Sequence, residues 1–375
     1  MQAGLYYLQM FQRLLESSYL ARYILFNSVG VDDYRIFPSR VIANQAPAFH
    51  FDPPVSADDI APVLDGALHD QVGLHAAGSL DQYLQRNGTQ AFLVIQHDRI
   101  LCERYYGGSS HDSICTSFSV AKSFVSAMVG LALHEKLIGS LDDPLIRYIP
   151  ELKGPAWPAI TIRHLVSMSS GIAYSQAGFL PWNDQPRIYY SLDLRRVALQ
   201  ARPVETPGRR FLYNNYNLVL IGMLLERVTG GHVADYLSEK IWKLLGMEAP
   251  ATWSMDSQRC GMEKMESGIN ARAIDFAKFG RLYLRRGDWN GRQVIPEEWV
   301  IESTTPWPDG RWSNFKYFWW LPRSGKGRFM TVGNLGQFIY VAPDKDCILV
   351  RFGRGKPANW QASYPALWGS IVNAL

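Results

Sequence analysis

With 375 residues, 47% of them hydrophobic and 19% charged, the chain has the makings of one large globular domain or two intimate ones with a sizeable core. A formal net charge of +4 with no dense Lys/Arg run excludes the basic footprint of a nucleic-acid binder. Cys102, Cys115, Cys260 and Cys347 form no C-x-x-C pair and stand at no zinc-like His spacing, so no metal site, no cofactor and no disulfide framework is expected, only buried reduced thiols.

Residues 5–25 are rich in Leu, Tyr and Phe but interrupted by Arg13, Glu16 and Arg22. That is too charged for a membrane span, and it lacks the basic start and small-residue cleavage site of a signal peptide. An amphipathic helix packing on the body, or making peripheral membrane contact, is the expectation. Residues 26–65, punctuated by Pro38, Pro47, Pro53, Pro54 and Pro62, read as an extended arm. A helix is expected over 80–86, then two strands, T-Q-A-F-L-V-I-Q and R-I-L-C-E-R-Y-Y, turning at His97-Asp98. The first long helix runs from Ser119 to Glu135. From about 140 to 260 strand signals fade, and T-I-R-H-L-V-S-M-S-S-G and L-V-L-I-G-M-L-L-E-R-V-T-G read as helices closed by glycine. A further helix is expected over 273–286, with a W-N-G turn after it. Strands follow in K-Y-F-W-W-L, Q-F-I-Y-V-A-P and C-I-L-V-R-F-G, and a last helix covers 366–375. The order implies an α+β fold in which strands from both ends share one antiparallel sheet. We divide it into a helix and arm over 1–65, a sheet domain over 66–140 and 265–375, and a mostly helical insert over 141–264.

The stretch F-S-V-A-K-S-F places Ser119 and Lys122 three apart where an apolar helix opens. Such positions share one helix face, roughly 5–6 Å apart at Cβ. A hydroxyl at the start lies near unpaired N–H groups and the positive end of the dipole. A lysine among Val120, Ala121, Phe124 and Val125 loses hydration, which disfavours its ammonium and suits it to act as a base. A serine with an adjacent base is what acyl transfer requires. The tetrapeptide alone is weak evidence, since Ser313-Asn314-Phe315-Lys316 has the same spacing without an apolar helix. Two other segments keep it company. Tyr213-Asn214-Asn215 precedes a second apolar helix; a phenol can shuttle a proton and an amide can hold a carbonyl, though a turn with a core tyrosine is the commoner meaning. Residues 331–337, T-V-G-N-L-G-Q, carry glycines that would let a substrate approach a sheet edge. Trp182, Trp253, Trp312, Trp319 and Trp320 could shape an apolar cleft, but such residues more often pack a core.

F-S-V-A-K-S-F, T-I-R-H-L-V-S-M-S-S-G-I, P-G-R-R-F-L-Y-N-N-Y-N, D-F-A-K-F-G-R-L-Y-L-R-R-G-D-W-N-G-R-Q-V-I-P and G-N-L-G-Q-F-I-Y-V-A-P occur in that order between about 90 and 355. Together they resemble the class C β-lactamase-related serine hydrolases, which include the penicillin-binding esterases and the 6-aminohexanoate-dimer hydrolases. The resemblance implies a β-lactamase/transpeptidase-like fold: an antiparallel sheet flanked by helices, an inserted mostly helical domain, and a site in the cleft between them. It implies Ser119 as nucleophile, Lys122 as its base partner and Tyr213 as the proton-transfer tyrosine. The backbone N–H groups of Ser119 and Asn334 would form the oxyanion hole. Asn215 and Asn270 are candidates for substrate contacts, and Tyr174 for the cleft wall.

One departure narrows the function. Class C β-lactamases carry K-T-G where this chain has Thr331-Val332-Gly333, and that lysine helps hold the carboxylate of penicillins and peptidoglycan stems. The expectation is therefore a serine hydrolase of small esters or linear amides, acting on a small-molecule substrate through an acyl-enzyme. The alternatives are a peptidoglycan-directed D,D-peptidase or β-lactamase, and a noncatalytic penicillin-sensing scaffold. An α/β-hydrolase or HExxH metal hydrolase is excluded because neither G-x-S-x-G nor H-E-x-x-H occurs. The residues set neither oligomeric state nor compartment: periplasmic or membrane-associated if the start is an anchor remnant, cytoplasmic otherwise.

Overall fold

The computed structural model describes residues 18–26, 28–54, 56–72, 78–175, 178–312, 314–322 and 326–375. They fall into two compact units. One gathers the described part of Met1–Arg40 with Ala132–Ala234 and Trp253–Gly268; the other holds Val41–Leu131, Asp235–Thr252 and Ile269–Leu375.

The second unit is built on seven antiparallel strands. In chain order it contains α1 (Ala57–Val72), α2 (Leu80–Arg86), β1 (Thr89–Gln96), β2 (Arg99–Tyr105), β3 (Ile114–Thr116), α3 (Ala121–His134), β4 (Ile269–Arg272), α4 (Ala273–Leu284), β5 (Phe315–Lys316), β6 (Trp319–Trp320), β7 (Phe329–Gly333), β8 (Gln337–Ala342), β9 (Cys347–Gly353) and α5 (Trp360–Ala374), besides shorter pieces. The large sheet runs β2-β1-β9-β8-β7-β6-β5, joining strands from both ends of the chain as expected. Helices cover both faces. Ile60, Leu64, Leu80, Leu84, Tyr364, Leu367 and Trp368 pack on Phe92, Val94, Phe338, Tyr340 and Leu349. On the other face α4 lies so close that a Cβ on Gly280 would come within 2.8 Å of Ile339 and 2.9 Å of Ile348. Phe279 of α4 stacks on Phe124 of α3, centroids 3.6 Å apart. Two covered faces explain why A-F-L-V-I and C-I-L-V are continuous apolar runs rather than alternating ones.

Several expectations need correction. The assigned arm over 26–65 contains the start of α1, with Pro62 inside it. Ile60, Leu64, Ala67 and Leu68 are all buried, a helical stripe whose packing outweighs proline's cost. K-Y-F-W-W-L is not one strand. It folds back as the hairpin β5–β6, with Tyr317 and Phe318 left-handed at φ 42° and 69°. Contacts from elsewhere hold that turn: Tyr317 stacks on Trp299, and Ser123 Oγ donates to the Phe318 carbonyl at 2.9 Å. The last helix begins six residues earlier than expected, at Trp360, and accommodates Pro365.

Among the described residues of the first unit, the regular elements are mainly helices joined by long irregular stretches. Its central helix, Asn215–Thr229, is capped by the Asn214 side chain, which accepts from the Tyr216 N–H, and is closed by left-handed Gly230. Its apolar positions from Leu218 to Leu225 are buried. A shorter helix, Tyr19–Leu25, lies within the stretch expected to be amphipathic; the rest of that stretch falls outside the described residues. Tyr19 and Tyr23 donate to the carbonyls of Pro181 and Phe179, and Arg22 is buried, donating to the Ser191 carbonyl, while Leu20 and Ile24 face outward. Among the described residues no helix is long and apolar enough to cross a membrane.

Candidate active site

In the sheet unit, the nucleophile candidate sits at a tightly held corner. β3 ends at Thr116 beside β4, and Ser117 locks the junction in both directions: its N–H donates to the Ile269 carbonyl at 2.8 Å, and its Oγ accepts from the Ile269 N–H at 3.1 Å. The chain then passes through Phe118, buried and left-handed at φ 43°. For a bulky residue this conformation is costly and persists only where surrounding contacts enforce it. One 3₁₀ turn, Phe118–Val120, leads into α3. The effect is to leave Ser119 half-exposed while Phe118, Val120, Ala121 and Lys122 are all buried.

Lys122, 2% exposed, directs its Nζ to 2.7 Å from Ser119 Oγ. The spacing expected of one helix face thus becomes a direct hydrogen bond in a dry surrounding. Beside this corner runs β7. A Cβ on Gly333 would lie 2.6 Å from the Ser117 carbonyl, so only glycine lets the strand pass so close. The next residue, Asn334, is exposed and opens a short turn, Asn334–Gly336. Thr331, where a K-T-G lysine would stand, is buried and its Oγ1 accepts from the Ile339 N–H at 3.0 Å. A different cation lies nearby: Lys356 Nζ donates to Asn334 Oδ1 at 3.2 Å and sits 4.5 Å from the Trp360 ring centre.

Asn270 pairs with Thr116 across β3–β4. Its Oδ1 accepts from Thr116 Oγ1 at 2.8 Å and its amide donates to Thr252 Oγ1 at 3.3 Å, so it braces the strand that feeds the corner.

The helical unit gathers the other three candidates. Asn214 fixes the approach to its central helix, donating to the Ile172 carbonyl at 2.9 Å. The following residue, Asn215, donates to Tyr174 Oη at 3.1 Å, and its own Oδ1 is buried without a partner among the described residues. Burial first, then the carboxylates of Glu266 and Asp184, hold the Tyr174 phenol well above its ordinary value, and half-buried Tyr213 is near enough to add to that shift. The second S-x-x-K has no comparable setting. Ser313 lies outside the described residues, and Lys316 is spent on Glu302 at 3.1 Å.

The β-lactamase family pattern matches residues 79–366. The chain belongs to the β-lactamase family. As a member it is a serine hydrolase of amidase or esterase type, with the β-lactamase/transpeptidase-like α+β fold. It is 25% identical over 343 residues to the 6-aminohexanoate-dimer hydrolase of Paenarthrobacter ureafaciens, covering 84% of this chain and 82% of that one. A solved structure of a candidate 6-aminohexanoate-dimer hydrolase from Bacillus anthracis superposes with a TM-score of 0.78 at 24% identity, covering 90% and 91% of the two chains. EstCE1, a hydrolase with promiscuous acyltransferase activity, superposes at 0.63 with 15% identity, covering 84% and 98%.

Phe118 and Ser117 were not singled out in the sequence; Gly333 was, as a glycine that would admit a substrate to a sheet edge, whereas in the structure it passes against the Ser117 carbonyl. The glycine in T-V-G-N carried a signal. Nothing local marks a left-handed phenylalanine.

Proposed function

We propose that this β-lactamase-family enzyme cleaves a small ester or linear amide through an acyl-enzyme on Ser119. The observation that carries the proposal is the 2.7 Å contact between the buried Lys122 amine and Ser119 Oγ. In its neutral form that amine takes the hydroxyl proton as Oγ attacks the substrate carbonyl. The N–H groups of Ser119 and Asn334 receive the oxyanion. Tyr213 passes the proton to the leaving group, and water then releases the acyl group by the reverse route. Tyr174 and Asn215, bonded to each other, are assigned to the substrate side. Asn270 contributes by holding the strand before the nucleophile. Thr331 offers no charge to a penicillin or stem-peptide carboxylate, which favours the esterase and linear-amidase reading over the peptidoglycan-directed one. Similarity to the Paenarthrobacter ureafaciens enzyme supports the same choice.

The test is labelling and turnover on the pure protein. A fluorophosphonate is expected to label wild type and not Ser119→Ala, and fluorescent penicillin to label neither strongly. Ser119→Ala is expected to abolish p-nitrophenyl acetate turnover. Substantial turnover remaining in that variant would place the chemistry on another residue, and strong penicillin labelling would move the substrate class to peptidoglycan or β-lactams.

A further inference from the structure

Arg351 lies in β9 with no exposed surface. Among the described residues it pairs with no carboxylate. A buried charge without a counter-ion is among the costliest groups a core can hold, and an apolar residue of similar volume commonly serves stability as well or better. Its hydrogen bonds show what the guanidinium does there. Nη1 donates to the carbonyls of Leu335 and Gly336 at 2.7 and 2.8 Å. Nη2 donates to those of Asn87 and Gly355 at 2.9 and 2.8 Å, and Nε to Thr89 Oγ1 at 3.1 Å. Tyr364 closes the remaining face, its ring centre 4.8 Å away. Two glycines make the room: a Cβ on Gly336 or Gly353 would fall 2.6 or 2.5 Å from the guanidinium.

Gln337, also buried, completes the pattern. Its amide donates to the Asn334 carbonyl at 3.0 Å and to the Gly353 carbonyl at 2.7 Å, and its Oε1 accepts from the Gly353 N–H at 2.8 Å. All three carbonyls of Asn334-Leu335-Gly336 are therefore held by two buried side chains. The turn needs such holding. Glycines stand at both its edges, Gly336 at φ 78°, and Leu335 inside it is left-handed at φ 59°, so its own backbone does not dictate its orientation.

We propose that Arg351, assisted by Gln337, is the positioning residue of the oxyanion hole: it anchors the 334–336 turn from the sheet side and so presets the Asn334 N–H. This rests on the reading that Ser119 is acylated and that Asn334 receives the developing charge. A donor preset before reaction stabilises the transition state without reorganisation, and slight misplacement of such a group costs about 10²-fold in rate.

The experiment compares Arg351→Met, Arg351→Lys and Gln337→Met with wild type and Ser119→Ala, all as the full chain. Reactive sites are counted by fluorophosphonate end-point; kcat and KM are measured on p-nitrophenyl acetate, and inhibition by an arylboronic acid, which adds to the serine as a tetrahedral anion. For folded Arg351→Met, kcat per reactive site is expected to fall about 10- to 10²-fold with KM nearly unchanged. Boronate affinity should weaken in parallel, Arg351→Lys should recover part of the loss, and Gln337→Met should show a smaller loss of the same kind. A kcat per site within about 2-fold of wild type in folded Arg351→Met overturns the proposal. If Arg351→Met does not fold, Gln337→Met decides by the same criterion. Turnover surviving in Ser119→Ala would instead overturn the underlying reading and this inference with it.

Discussion

At the scale of single residues, the proposed chemistry turns on a buried amine, a strained phenylalanine and a glycine. Lys122→Met keeps the length and removes the base. We expect at least about 10²-fold loss of kcat on an ester, the usual contribution of a positioned acid–base group. Its melting temperature should be unchanged or higher, because a desolvated amine is removed from an apolar setting. A parallel fall in stability and activity would mark Lys122 as a packing residue. Gly333→Val tests the close passage of β7. The Ser117 carbonyl lies 2.6 Å from where the new Cβ would be, and backbone cannot yield cheaply, so the corner or the strand must shift. The expected readout is a loss of fluorophosphonate labelling rate in a protein that still folds. Ser119 and Lys122 were legible in the sequence because three-residue spacing on a helix is a local rule. Phe118 was not, because its conformation, φ 43°, is enforced from outside the segment.

At the scale of elements, the helix that follows the proposed nucleophile depends on its neighbour. Phe124 stacks on Phe279 at 3.6 Å and meets Phe276 edge-on at 6.0 Å, which joins α3 to α4. Phe124→Ala should cost about 3–5 kcal/mol in denaturant unfolding, the range for truncating a buried aromatic. A second coupling involves protons. Burial alone would lower the His111 imidazole, but hydrogen bonds to Glu103 at 2.9 Å and Glu248 at 2.8 Å outweigh it and hold it above the ordinary value. A group raised on folding adds stability that is complete below its unfolded pKa and is lost as pH rises through the folded one. The Glu248 carboxylate is raised by burial, yet its bonds to His111 and Lys278 win and lower it, so its contribution disappears instead as pH falls. His111→Gln should therefore narrow its stability gap from wild type as pH is raised from about 6 to 9. A gap that widens over that range would contradict the assignment. The helix and strand order around these contacts was readable, since long apolar runs and glycine stops are local signals. The helix through Pro62 and the aromatic hairpin at Tyr317-Phe318 were not, because tertiary packing overrode what proline and aromatic runs normally indicate.

At the scale of the whole molecule, the four thiols report which parts of the chain are sealed. Burial pushes Cys102, Cys115 and Cys347 up to about 12, whereas Cys260 is half-buried. In the native protein a thiol reagent at pH 8 should modify Cys260 first, with the other three reacting only after denaturation; rapid reaction of all four would show that the sheet unit opens readily. The chain's amino acids, taken in order, determined the serine–lysine helix start and the succession of strands and helices, because these are written in spacing and periodicity within a few turns of backbone; that order implied one sheet shared by strands from both ends, and five quoted motifs carried the resemblance to the family. Only the tertiary structure decided that Phe118 is left-handed, that Gly333 passes against Ser117, and that Arg351 holds the carbonyls of a turn sixteen residues away. Those features oppose local preference or bury a charge, and they persist because contacts distant in sequence outweigh the local penalty.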